Sequence, residues 1–242
     1  GAVLLYDSDT GALRAAIEAK LVTEYKTAGD SVLGAQLLAR PESRHLVIVG
    51  AGVMASCLAR AYSAAFPLER ISIWARRPEQ AEALAARLQL PGVAVAAAAD
   101  LPAALADADI VSSATMAREP ILFGDWIRPG THVDLVGAYL PDAWETDDQL
   151  MAAASVFVDN RETTRHIGEI VQPIVSKAVG PDYVRGDLYD LVAAPGPARV
   201  SAGEITVFKH GGGALLDRMI AAYNAEVTER LSAEDDPFPL QS

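Results

Sequence analysis

Cysteine is nearly missing from this chain: Cys57 stands alone among 242 residues. A lone thiol closes no intramolecular disulfide and finds no second thiolate for a metal site, so a reducing, cytoplasmic setting is expected. Cations are scarce as well, with 20 Lys and Arg against 32 Asp and Glu and a net charge of −12. That balance excludes wholesale binding to nucleic acid, whose affinity comes from basic side chains that displace counterions. Long apolar runs are missing too. Stretches such as "GVAVAAAA", residues 92–99, fall far short of the ~20 residues that cross a bilayer. No basic stretch followed by an apolar one opens the chain, so neither an export signal nor a membrane partner is expected. His and Cys do not group at metal-ligand spacing, and no metal is expected.

What the chain does have is strand and helix in alternation. "GAVLLYDSDTG" reads as a short strand ending in a turn. Residues 12–38 then carry Leu13, Ile17, Leu21, Tyr25, Ala28 and Val32 at helical spacing, until Pro41 stops the pattern. "HLVIVG" is a continuous apolar strand of the kind buried on both faces of a parallel sheet. After it come "RISIWA", a helix over 78–88, "VAVAA", a short helix over 102–106, "DIVSSAT", "THVDLVG", a helix over 147–154 and "SVFVD". This alternation predicts an α/β fold, a Rossmann-type doubly wound parallel sheet over residues 34–203. Residues 1–33 and 204–242 are expected outside that sheet, as parts of a second, discontinuous domain. Only the acidic "SAEDDPFPLQS" end has a disordered composition.

A nucleotide site is expected where the first long strand runs into a helix. Gly50, Ala51, Gly52, Val53, Met54 and Ala55 spell G-x-G-x-x-A. The first glycine allows the tight turn, the second leaves room for a pyrophosphate, and the small third residue lets helix and strand approach. The helix N-terminus then offers its unpaired N–H groups to phosphate. An acidic residue that would bind the ribose 2′-hydroxyl of NAD belongs at the end of "ISIW", and that place is Ala75, followed by Arg76 and Arg77. With no carboxylate to repel a 2′-phosphate and two guanidinium forks to bind one, the loop predicts NADP(H) rather than NAD(H). Ser113, Ala114 and Thr115 follow the fourth strand of this series, and Val136 and Gly137 end the fifth, at the crevice where such sheets bind ligand.

The blocks "YKTAGDSVLGAQLLARP", "IVGAGVMA", "SSATMAREPIL", "WIRPGTHVDLVGAYLPDAWETDDQLM", "VFVDN" and "EITVFKHGGGALLD" resemble the ornithine cyclodeaminase and mu-crystallin family, in order and spacing over nearly the whole chain. The resemblance implies a dinucleotide-binding domain and a split domain that binds substrate and forms a homodimer. It implies a substrate that is a small amino acid or imine. It also implies that the chain starts beyond an N-terminal portion carrying some of the family's substrate-binding basic residues. At the family's Arg-Thr pair stand Lys26 and Thr27, which the resemblance assigns to the substrate carboxylate and the cofactor phosphate. Lys209, His210 and Gly211 become cofactor contacts. His166 and His132 are read instead as structural or exposed.

Three functions follow as alternatives. The first is NADPH-dependent reduction of a small cyclic imino acid by hydride transfer to C=N. The second is a cyclodeaminase that recycles bound NAD, and the third is a ligand-binding protein without turnover. Cyclodeaminases of the family carry an aspartate two residues after the glycine equivalent to Gly137; here that place is Tyr139. A phenol with a pKa near ~10 is a poor base at neutral pH, which favours imine reduction, with Tyr139 lining the substrate pocket.

Overall fold

A computed structural model describes residues 1–193 and 198–234. The acidic end expected to be disordered lies, from residue 235 on, outside the described residues. In chain order the main elements are strands β1 (Ala2–Tyr6) and β2 (Leu13–Glu18), helix α1 (Ala19–Leu38), β3 (His45–Val49), α2 (Val53–Ala65), β4 (Arg70–Trp74), α3 (Pro78–Arg87), β5 (Ala94–Ala97), α4 (Leu101–Leu105), β6 (Ile110–Ser113) and β7 (His132–Leu135). They continue with α5 (Asp148–Ala153), β8 (Ser155–Val158), α6 (Arg161–Thr164), α7 (Gly168–Val175), β9 (Val184–Asp187), α8 (Leu188–Ala193), β10 (Thr206–Lys209) and α9 (Ala214–Glu234). The chain divides into two compact units, at Lys26/Thr27 within α1 and at Gly212/Gly213.

The larger unit, Thr27–Gly212, is built on an eight-stranded sheet of order β5-β4-β3-β6-β7-β10-β8-β9. Its strand pairs are all parallel. Alternate residues of one strand feed opposite layers. Leu46 and Ile48 of β3 join Leu58 and Tyr62 of α2 and Leu84 of α3 on one face. Val47 and Val49 join Leu105 of α4, Leu150 of α5 and Ile170 of α7 on the other. Burial of both faces is why β3 reads as an unbroken apolar run rather than an alternating one. Gly34 of α1 sits where a Cβ would come within 2.7 Å of the Phe208 ring, so a glycine lets α1 close on β10.

The structure departs from two expectations drawn from the sequence. The segment from residue 204 was expected outside the sheet, yet β10 is one of its inner strands, hydrogen-bonded to β7 and β8, with all four residues buried. Its apolar "TVF" is too short to separate from a helical turn by periodicity, and only long-range pairing decides. The helix expected from residue 12 begins at Ala19, and Leu13–Glu18 forms β2 instead. Leu13 and Ile17 are four apart, which fits a helix and also one face of a strand. The turn decides it: the Asp7 carboxylate accepts from Asp9 N, Thr10 N and Thr10 Oγ1, closing the antiparallel β1–β2 hairpin.

The smaller unit holds that hairpin, the first turns of α1, and the chain from Gly213 on, including α9. Arg14 makes two hydrogen bonds to the Glu229 carboxylate, at 3.0 and 2.9 Å, tying β2 to α9. Lys26 Nζ lies 2.5 Å from Asp217 Oδ1.

Candidate active site

A cleft runs across the carboxyl ends of β4, β3 and β6 in the larger unit. Gly50, Ala51, Ala75, Arg76, Arg77, Ala114 and Thr115 all line it, so seven of the expected cofactor residues converge. Trp74, Gln80, Met116, Ala117 and Ile121 complete its walls; Met116, Ala117 and Ile121 belong to the "SSATMAREPIL" block but carried no expected role. Gly50 has φ +120°, and a Cβ there would sit 2.7 Å from the Ala114 carbonyl oxygen, so the turn requires glycine on both counts. Gly52, the N-cap of α2, has ordinary extended backbone, and a Cβ there would meet nothing within 4 Å. Its glycine serves no close contact among the described residues; the space beside it is where a ligand backbone could pass. No side chain caps α2, which leaves the N–H groups of its first turn, at Val53 and Met54, available to an anion. Ala55 is fully buried against the sheet. These features fit a dinucleotide.

Arg76 and Arg77 are exposed at the rim, and neither makes an ion pair among the described residues. Ser113 and Thr115 bend the other way. Ser113 Oγ and Thr115 Oγ1 donate to Glu145 Oε1 at 2.7 and 2.6 Å. Thr115 N donates to the same oxygen at 2.9 Å, and Gly137 N donates to Oε2 at 3.0 Å. Val136 is partly buried beside this junction.

Behind the cleft lies a buried network of charge. Lys209 has no exposed surface, and its ammonium donates to the Leu135 carbonyl at 2.9 Å. Burial pulls its pKa down against the pull of Glu169 and Glu145. Expected as a cofactor contact, Lys209 therefore has its charge inside the unit. His210 is buried as well, with Nδ1 2.8 Å from Asp30 Oδ2 and Nε2 2.7 Å from Asp134 Oδ1. Burial disfavours the imidazolium, but Asp134 and Asp30 outweigh it and raise the pKa to about 10. Ser112 Oγ donates to the other Asp134 oxygen at 2.6 Å. Asp159 accepts from Gly211 N and Gly212 N at 2.8 and 2.7 Å. Asp30, Asp159 and His210 bring ligand-type atoms within 4.8 Å of one another, but both imidazole nitrogens face carboxylates, as in a doubly held ion pair.

Sequence reasoning missed Asp30, Glu145 and Glu169. The Glu169 carboxylate accepts from Glu145 N at 2.7 Å and Thr146 N at 3.0 Å, and burial raises its pKa to about 7. A single acid inside the apolar "HIGEIVQPIV" is a signal that could have been read. Glu145, in "AWETDD", looks like a surface acid, and nothing local marks it. Of the two expected catalytic residues, Tyr139 is 58% exposed on the loop after β7, and Lys26 belongs to the smaller unit. Thr27 is partly buried in α1. His166 is exposed, while His132 is buried with Nδ1 3.0 Å from Thr206 Oγ1.

Comparison with known proteins gives concordant likenesses. A Δ1-pyrroline-2-carboxylate reductase of Paracoccus denitrificans is 59% identical over 229 residues, 94% of this chain and 72% of that protein. Mouse ketimine reductase mu-crystallin is 34% identical over 220 residues, 90% of this chain and 66% of that protein. The structure of Thermococcus litoralis Δ1-pyrroline-2-carboxylate reductase in complex with NADH and L-proline superposes with a TM-score of 0.91 at 30% identity, over 96% of this chain and 72% of that one. Residues 1–234 match the ornithine cyclodeaminase/mu-crystallin family, and with the cradle of β3 and α2 in place the chain belongs to that family.

Proposed function

We propose that this protein is an NAD(P)-dependent oxidoreductase that reduces the C=N bond of a small cyclic imino acid of the Δ1-pyrroline-2-carboxylate class, with NADPH as its reductant. The observation that carries the reaction is the 59% identity to a Δ1-pyrroline-2-carboxylate reductase, in a chain that keeps the glycine turn and open helix N-terminus. When bound, the nicotinamide supplies the hydride for the imine carbon, and the nitrogen takes one proton. The protein's share is positioning and charge.

Gly50, Gly52 and the start of α2 would hold the pyrophosphate, and Ala114 and Thr115 the ribose beyond it. NADPH rather than NADH is supported by Arg76 and Arg77, two cations on the cleft of a chain of net charge −12 that make no ion pair among the described residues, with Ala75 where an acid would refuse a phosphate. Lys26 would hold the substrate carboxylate; its ammonium has three donors and can serve Asp217 and a ligand together. Tyr139, an exposed phenol, would line the substrate pocket. The implied assembly is a homodimer.

The test is steady-state oxidation of NADPH and NADH with Δ1-pyrroline-2-carboxylate and its six-membered homologue, beside ornithine with NAD. Imine-dependent oxidation that favours NADPH is the expected result. Ammonia and proline formed from ornithine, without imine reduction, would restore the cyclodeaminase reading.

A further inference from the structure

Glu145 has no exposed surface, yet its carboxylate serves four donors drawn from two loops. Oε1 takes Ser113 Oγ, Thr115 N and Thr115 Oγ1 from the end of β6, and Oε2 takes Gly137 N from the end of β7. The same residue's carbonyl accepts from Ile121 N and Leu122 N, both at 2.9 Å. Thr115 and Ile121 line the cleft, so side chain and backbone of one residue hold two of its wall positions. The loops touch so closely that a Cβ on Gly137 would come within 2.0 Å of the Thr115 carbonyl oxygen. From behind, Glu169 fixes Glu145 by accepting from Glu145 N, Thr146 N and Thr146 Oγ1.

The direction of the cleft gives this clamp a meaning. Arg76 and Arg77 follow β4 on one flank, the glycine turn follows β3, and Thr115 follows β6 on the other flank. A dinucleotide with its 2′-phosphate at the arginines and its pyrophosphate at the turn has its reactive half at the β6 end. We propose that Glu145 is a positioning residue for hydride transfer, fixing the β6 and β7 ends where the nicotinamide half would lie. The proposal rests on the dinucleotide reading above. A carboxylate is required because Thr115 N and Gly137 N can only donate and they face different oxygens. An amide in its place must turn its N–H groups toward one of them and loses that contact, even though the Ser113 and Thr115 hydroxyls can turn to accept.

The experiment compares the whole protein with Glu145→Gln and with Ser113→Ala, whose hydroxyl points at Glu145. Two readouts are taken: kcat for imine-dependent NADPH oxidation, and the affinity for adenosine 2′,5′-bisphosphate, which reports the arginines and the glycine turn without the nicotinamide half. Glu145→Gln should lower kcat on the order of 10²-fold, the usual cost of a small misplacement at the reacting centre, with bisphosphate affinity unchanged. Ser113→Ala should move kcat the same way by less, and should add little in the Glu145→Gln background, because the two form one contact. Unchanged kcat in a folded Glu145→Gln protein overturns the proposal. So does a fall in bisphosphate affinity matching that in kcat, which would make Glu145 a general support of the unit. If Glu145→Gln does not fold, Ser113→Ala decides by the same two readouts. A wild-type protein that shows no imine-dependent oxidation of NADPH would defeat the functional reading itself, and this proposal with it.

Discussion

On the proposed reading, Arg76 and Arg77 would carry cofactor choice in two adjacent side chains. Replacing both with alanine while making Ala75→Asp should reverse the preference from NADPH to NADH, each charged contact to phosphate being worth roughly 1.5–3 kcal/mol. The ratio of Kd values for the two cofactors measures it, and a native protein that binds NADH as tightly as NADPH would contradict the assignment. Lys26→Ala should raise KM for the imino acid and leave NADPH affinity alone; equal loss of both would put Lys26 at the phosphates instead. His210 tests the buried network. His210→Asn leaves Asp30 and Asp134 buried without their cation and should cost about 3–5 kcal/mol in urea unfolding. The pH dependence has a definite sign. The folded pKa of His210, about 10, lies above its ordinary 6.5, so its stabilisation is full below 6.5 and is lost as pH rises through 10. Glu169, raised from 4.5 to about 7, acts the same way at lower pH: its contribution is full below 4.5 and is lost as pH rises through 7. Burial holds His132 down at about 4, so that histidine works the other way between 4 and 6.5. Each group is therefore read from a difference: the melting temperature of the wild type should fall relative to Glu169→Gln as pH rises from 4.5 to 7, and relative to His210→Asn as it rises from 6.5 to 10.

At the scale of the element, the turn from β3 into α2 separates fold from function. Gly50→Ala forces a Cβ to 2.7 Å from a backbone oxygen at φ +120°, and should impair folding and binding together. Gly52→Ala meets open space, so stability should change by less than about 1 kcal/mol, while a methyl group in the path of the pyrophosphate should abolish dinucleotide binding. Stability unchanged with binding also unchanged would mean that the cleft holds its ligand elsewhere. This turn was legible in the sequence because strand, glycines and helix are contiguous, and the same holds for β4, α3, β6 and β7. The strand β10 was not, since four residues show no period and its partners lie far away in sequence. Helix α1 was read too long because Leu13 and Ile17 satisfy two periods at once. The clamp at Glu145 was invisible for a related reason: its donors come from β6 and β7, and a buried acid in a polar stretch looks like any surface acid.

Over the whole molecule, the absences noted first keep their physical content. The described residues include no helix long and apolar enough to cross a membrane. A net charge of −12 makes the two arginines on the cleft the more informative, because the surrounding field does not favour an anion. The larger unit's sheet carries the cleft with the glycine turn, while Lys26 and Asp217 stand in the smaller unit. The measurement that tests the central claim most directly follows the hydride itself. The protein is given Δ1-pyrroline-2-carboxylate with NADPH deuterated in turn on each face of nicotinamide C4, and the product is examined by mass spectrometry and NMR. Imine reduction predicts proline with one deuterium at C2 from one of the two labelled cofactors and none from the other. Proline without deuterium from either, or no proline while ornithine and NAD yield proline and ammonia, would contradict it.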